Sequence, residues 1–187
     1  MNKKSAKSES LEVATLAGGC FWCTEAIFRI IKGVKKIEPG YTGGLVSNPT
    51  YEQVSLGMTG HAEAAQMTFD SSVISFREIL EIFFASHDPT TLNRQGPDVG
   101  TQYRSAIFYH NEKQRATAEA VIAELNKEKI WNASIITQIE PFTVFYTAET
   151  YHKDYYTKHP NQPYCQAIIK PKLLKLQQRF LKKLKVQ

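Results

Sequence analysis

Two thiols frame two of the largest apolar side chains in the stretch AGGCFWCTEAIF: Cys20 and Cys23 flank Phe21 and Trp22, directly after Gly18 and Gly19. A strand that ends in glycines and turns into a helix offers free N–H groups and the positive end of the helix dipole. Both favour an anion, so a thiol at that junction is expected to ionise readily and act as a nucleophile. The competing reading of Cys20 is a small buried residue, as most free cysteines are. Cys23 completes a C-x-x-C pair with three readings. A zinc site needs four ligands, and His61, His87, His110, His152 and His159 are scattered with no second C-x-x-C, so no metal is expected. A thioredoxin-like dithiol fits a motif that follows a strand and opens a helix. In the third reading Cys20 reacts first and Cys23 is a secondary thiol.

Phe21 and Trp22 separate the last two readings. Two large aromatics would crowd the protein partner of a dithiol oxidoreductase. Exposed beside a thiolate, they form an apolar socket for a small group such as a methyl, with core packing at the foot of a helix as the plain alternative. Other polar groups suit the same site. Glu63 lies among alanines in GHAEAA, and a carboxyl in apolar surroundings has a raised pKa and can act as an acid near neutral pH. A surface glutamate at a strand start is the alternative. Asp98 and Tyr103 in GPDVGTQYRS, and Tyr51 in NPTYEQV, add a carboxyl and two hydroxyls, each open to a structural reading.

The elements that position these groups follow from pattern. LEVATLA reads as a buried strand, and Ala26, Ile27, Ile30 and Ile31 recur at helical spacing before a capping Gly33. KKIEPGYTGG reads as a strand entering an irregular loop, and TYEQVSL and AEAAQMTFD as paired strands joined through GMTGH. Ser75 and Glu78 form a capping box for a helix that buries Ile79, Leu80, Phe83 and Phe84. DPTTLNRQGPDVGT is a long loop, QYRSAIFYH a strand, and NEKQRATAEAVIAELNKE a helix capped by Asn111. SIITQIEP and FTVFYTA are strands, TYHKDYYTKHPNQPYC is irregular and mobile, and KPKLLKLQQRFLKKLKV sets Leu173, Leu176, Phe180 and Leu184 along one face of a basic amphipathic helix. Some neighbouring strands are joined too briefly for parallel crossovers. The fold expected is therefore α/β (α+β): a two-layer sandwich on a central mixed β-sheet, ferredoxin-like, with long loops around the site.

A chain of 187 residues suits one well-cored domain. Its core is expected over about 11–170, between a polar extension (1–10) and a basic tail (171–187). The hydrophobic share of 42% and charged share of 22% are those of a globular protein. No apolar run is long enough for a bilayer, and the basic start lacks the apolar stretch of a secretory signal, so the cytoplasm is the expected compartment. Three cysteines do not make a disulfide scaffold. The net charge of +5 gathers at the chain ends, and neither a nucleic-acid nor a membrane partner is expected.

GGCFW, GYTGG, PTYEQV, TGHAEA, HDPTTLNRQGPDVGTQYRS, AETYHKDYY and NQPYCQ together, in this order, closely resemble the A-type peptide methionine sulfoxide reductases from about residue 17 to 180. The resemblance implies that the Cys20 thiolate attacks the sulfoxide sulfur while Phe21 and Trp22 hold the ε-methyl. It implies that Glu63 protonates the sulfoxide oxygen, that Tyr51 and Tyr103 hydrogen-bond to it, and that Asp98 organises the site through water. Methionine leaves, Cys20 remains as a sulfenic acid, and a second thiol condenses with it to a disulfide. Thioredoxin, or dithiothreitol in vitro, then reduces that disulfide with no bound cofactor. The S-epimer, free or within a protein, is the substrate implied, and a monomer is expected. Cys165 aligns with the recycling cysteine of many relatives and is favoured as resolver, with Cys23 as alternative or relay. Leu56 and Met58 stand where relatives often carry other residues. Two readings from other classes stay open. A general C-x-x-C dithiol–disulfide oxidoreductase leaves Glu63 and Tyr51 without work. A non-enzymatic binding module using the basic tail would bind in a salt-dependent way and be indifferent to Cys20→Ser.

Overall fold

Side-chain alternation along two central strands decides the architecture. In β1 (Leu11–Gly18) Ala14 and Leu16 face one side of the sheet and Ala17 the other, and in β3 (Ala62–Asp70) Ala65, Met67 and Phe69 oppose Ala62 and Ala64 in the same way. This is the period-two pattern of a pleated strand. The first side carries the main core. There α1 (Phe21–Arg29), α3 (Phe76–Ser86), α4 (Glu112–Glu128) and α6 (Lys170–Arg179) pack Ile27, Phe28, Leu80, Phe83, Val121 and Leu176 against it. The other side is surfaced by alanines and Phe108 and is covered by Phe142 and Phe145. This computed structural model describes residues 10–185, so most of the expected polar extension lies outside the described residues.

The remaining main strands are β2 (Val34–Thr42), β6 (Ser105–Tyr109), β7 (Gln138–Pro141) and β8 (Phe145–Thr147). The six-stranded sheet runs β7-β6-β1-β3-β2-β8. Its pairs are antiparallel except β6–β7, which is parallel and is bridged by α4. A mixed sheet under one helical layer matches the α/β expectation. The long loop after α3 contains a two-residue ladder, β4 (Arg94–Gln95) with β5 (Asp98–Val99). The capping box of Ser75 and Glu78 and the Asn111 cap both form as the sequence predicts.

Three local expectations are corrected. TYEQVSL is not a strand: residues Tyr51–Ser55 form a short helix, α2, because Thr50 and Gln53 build a capping box around its first turn. The first helix stops at Arg29, and Gly33 takes its left-handed φ of 87° four residues later, in the turn into β2. The aromatic-rich segment is ordered into a 3-10 turn (Thr150–His152), helix α5 (Tyr155–Lys158) and a π-helical turn (Cys165–Ile169) leading into α6. Among the described residues no helix is long and apolar enough to cross a membrane.

The basic end of the chain belongs to the core. Leu173 and Leu176 are buried, Phe180 and Leu184 pack against the same cluster, and Leu184 bridges to Ile31. Its lysines face outward or pair, as Lys183 does with Glu78. Leu176→Ala is expected to cost about 2–5 kcal/mol through lost burial and a cavity. Leu181→Ala, at a side chain 71% exposed, should stay within about 0.5 kcal/mol. Urea unfolding of both variants checks this, and equal small losses would detach α6 from the core.

Candidate active site

The same alternation that builds the core places the acid. Glu63 shares a face with Ala65 and Met67, so its carboxyl points into the helical layer where α1 begins. There its Oε2 accepts the backbone N–H of Phe21 at 3.1 Å. Tyr41 is Glu63's partner in the β2–β3 register and lies on the same face. The double glycine sets the approach. Gly19 has φ 92°, and a Cβ there would meet the Gln95 side chain at 2.6 Å. Cys20 is the N-cap of α1, with 8% of its surface exposed.

Burial dominates the electrostatics. Glu63 is 1% exposed, and desolvation lifts its pKa to about 8 against the opposing pull of the Phe21 amide. The carboxyl is therefore neutral at pH 7. The sequence expectation that the helix start lowers the Cys20 pKa is overturned. Burial raises it well above an ordinary thiol, and the hydrogen bond with Cys23 and the proximity of Glu63 add to the effect. Cys23 moves the other way, because its bond from Cys20 outweighs burial. The hydrogen bond between the two sulfurs thus favours a negative charge on Cys23 over one on Cys20.

Aromatic rings enclose this centre. Phe21 is buried beside Tyr41 and stacks toward Tyr51, with ring centroids 5.8 and 6.5 Å away. Trp22 is half-buried and lies flat on Tyr155, with centroids 3.7 Å apart, while its Nε1–H donates to His152 Nδ1 at 3.1 Å. That bond fixes the neutral tautomer of His152 with its proton on Nε2, 3.9 Å from Glu149. Glu149 in turn accepts the Tyr41 hydroxyl at 2.7 Å and the Tyr51 backbone N–H at 2.8 Å. Tyr103, on a 3-10 turn after β5, is half-buried, and burial with Glu63 and Tyr51 nearby raises its pKa. Tyr51 is raised for the same first two reasons. Both hydroxyls therefore stay protonated and able to donate.

Asp98 reaches the centre through Tyr164, whose hydroxyl donates to Asp98 Oδ2 at 2.6 Å and also lies against Cys23. Cys165 does not sit on a mobile segment, as the sequence suggested. It is 0% exposed at the start of the π-helical turn and packs in one cluster with Cys20 and Cys23. Burial and the neighbouring Cys23 raise its pKa. The structure therefore gathers Cys20, Cys23, Phe21, Trp22, Tyr51, Glu63, Asp98, Tyr103 and Cys165 around one helix start. Sequence reasoning did not single out Tyr41, Glu149, His152, Tyr155 or Tyr164 as individual site residues. The signal for four of them was the aromatic density of AETYHKDYY and QPYC. Glu25 was missed as well. Its two carboxylate oxygens accept the Asp154 N–H at 2.9 Å and tie this aromatic loop to α1.

Among the described residues no three His, Cys, Asp or Glu side chains gather to hold a metal ion. What the geometry offers is a neutral acid, a paired thiol and phenolic donors under an aromatic wall. Such a set can deliver a proton to an oxygen while a sulfur nucleophile attacks the atom bearing it.

Comparison with known proteins agrees with this chemistry. A family described as Peptide methionine sulfoxide reductase matches residues 12–184. The chain is 60% identical to the Peptide methionine sulfoxide reductase MsrA of Saccharolobus solfataricus over 176 residues, 94% of this chain and 98% of the relative. The crystal structure of Mxr1 from Saccharomyces cerevisiae in reduced form superposes with a TM-score of 0.78 at 37% identity, covering 87% of this chain and 92% of that one. Mxr1 in complex with Trx2 matches at a TM-score of 0.56 and 28% identity, over 82% and 89% of the two chains. The chain belongs to the peptide methionine sulfoxide reductase family.

Proposed function

We propose that this reductase acts on the S-epimer of methionine sulfoxide by the division of labour the site geometry supports. The observation that carries the reading is the Glu63 carboxyl, held neutral to about pH 8 at the amide that follows the thiol. Trp22 and Phe21 wall in the substrate's methyl, and Glu63, Tyr51 and Tyr103 donate to its oxygen. Cys20 passes its proton to the Cys23 sulfur and attacks the sulfoxide sulfur. Glu63 protonates the oxygen, the hydroxyl moves to Cys20, and an electron pair from Cys20 leaves with methionine as its thioether. A neutral Glu63 also removes the negative charge that would oppose the thiolate. With the methyl fixed on one side and the oxygen on the other, attack selects one epimer. Asp98 orients Tyr164 beside Cys23 and acts through that contact.

Two steps reset the enzyme. Cys23, already hydrogen-bonded to Cys20, condenses with the sulfenic acid and releases water. The Cys165 thiolate then attacks Cys23, which frees Cys20 and leaves a Cys23–Cys165 disulfide. The hydrogen bond between Cys20 and Cys23 favours Cys23 as first resolver and Cys165 as relay, the reverse of the order expected from the sequence. Thioredoxin is the reductant that the complex of Mxr1 with Trx2 supports. A compartment that keeps thiols reduced suits three free cysteines, so the cytoplasm is the proposed location. Every group in the site comes from one chain, so a monomer suffices.

Reduction of a mixed-epimer methionine sulfoxide peptide with dithiothreitol tests the activity. Wild type should consume only the S-epimer, and Cys20→Ser neither. Consumption of no sulfoxide by the folded wild type would leave a general dithiol oxidoreductase as the better reading.

The relay has its own signature after one equivalent of sulfoxide without reductant. Cys165→Ser should form a Cys20–Cys23 disulfide by mass spectrometry. Cys23→Ser should hold a sulfenic acid that dimedone traps. Rapid Cys20–Cys165 disulfide formation in Cys23→Ser would make Cys165 the direct resolver instead.

A further inference from the structure

Met58 stands on an open turn between α2 and β3, and the reaction above makes no use of it. It is 77% exposed, whereas Met67, the other methionine among the described residues, is 1% exposed inside the core. Gly57 and Gly60 flank it with φ of 73° each, so the turn lifts the thioether clear of regular structure. Leu56, two residues earlier in the chain, and Leu45, whose N–H bonds to the Thr59 carbonyl next to Met58, are 68% and 97% exposed.

We propose that Met58 is a modification site: peroxide oxidises its thioether to the sulfoxide, and the S-epimer so formed is a substrate for a second copy of this enzyme. The inference rests on the reductase activity proposed above. A thioether takes one oxygen atom from hydrogen peroxide, the methionine sulfur being oxidised and the peroxide reduced to water. Reduction by the second copy returns methionine and water and consumes two thiols, so each cycle removes one peroxide. The same chain does not serve its own turn. Gly57 N–H is bonded to Val54 at 2.9 Å, and Leu45 N–H to Thr59 at 3.0 Å. These bonds anchor both flanks of a turn whose Met58 side chain is exposed, whereas Cys20 is buried.

The test treats Cys20→Ser with hydrogen peroxide, reads each methionine by peptide mass spectrometry, and then adds catalytic wild type with dithiothreitol and a methionine S-sulfoxide peptide in the same tube. Met58 should oxidise roughly tenfold or more faster than Met67. About half of its sulfoxide should then be reduced, because peroxide yields both epimers and the enzyme takes one. Equal oxidation of the two methionines, or reduction of the peptide while Met58 sulfoxide persists in full, would overturn the inference. Reduction of neither would instead overturn the reductase reading on which it rests. Met58→Leu in the wild type should reduce the peptide at an unchanged rate and lose only the cyclic consumption of peroxide.

Discussion

A buried carboxyl that accepts one backbone N–H and is otherwise cut off from water is more stable neutral than charged, and the site depends on that constraint at Glu63. Ionised, it would oppose a thiolate on Cys20 and the ionisation of Tyr51 and Tyr103 together. Neutral, it is a proton donor that leaves the sulfur free to react. The position comes from strand pairing: the β2–β3 register sets Glu63 opposite Tyr41, and Gly19 lets the chain turn close beneath Gln95 into α1. A strand, a turn and the first amide of a helix thus act as one device.

The aromatic shell extends the same logic. Trp22 is fixed between the face of Tyr155 and the imidazole of His152, and Glu149 ties Tyr41 to the start of α2. Glu25 anchors the loop that carries these groups back to α1. The aromatic wall is therefore held from behind by polar bonds, which fix its shape. The three thiols lie in the same shell.

Much of this was legible in the sequence where the cause is local. The capping box of α3, the cap of α4 and the strand that ends in Gly18 follow from residue type and short spacing, and Cys20 and Glu63 stand out as candidates on the same ground. The resemblance to known reductases placed Tyr51, Asp98 and Tyr103. What could not be read depends on distant packing. The short helix α2 is a local exception: its alternating pattern reads as a strand, but the Thr50–Gln53 capping box sets a helical first turn. Cys165 sits beside prolines that suggested mobility, but long-range burial fixes it in a π-helical turn. The Cys20 pKa was expected to fall with the helix dipole, yet desolvation, which only the folded shell reveals, is the larger effect. Glu149 in AETYHKDYY and Tyr41 in GYTGG each lie within a motif, but their bond joins residues 108 apart and only the fold brings them together.

The most direct test of the central claim is a carbon-13 NMR titration of the Glu63 carboxyl in the reduced, substrate-free protein, assigned with Glu63→Gln. The account predicts a midpoint near pH 8, with the carboxyl protonated at neutral pH and the acid lost as pH rises through that value. A midpoint at the ordinary carboxylate value of about 4.3 would mean a charged Glu63 beside the thiol, and would contradict the claim that burial supplies the proton.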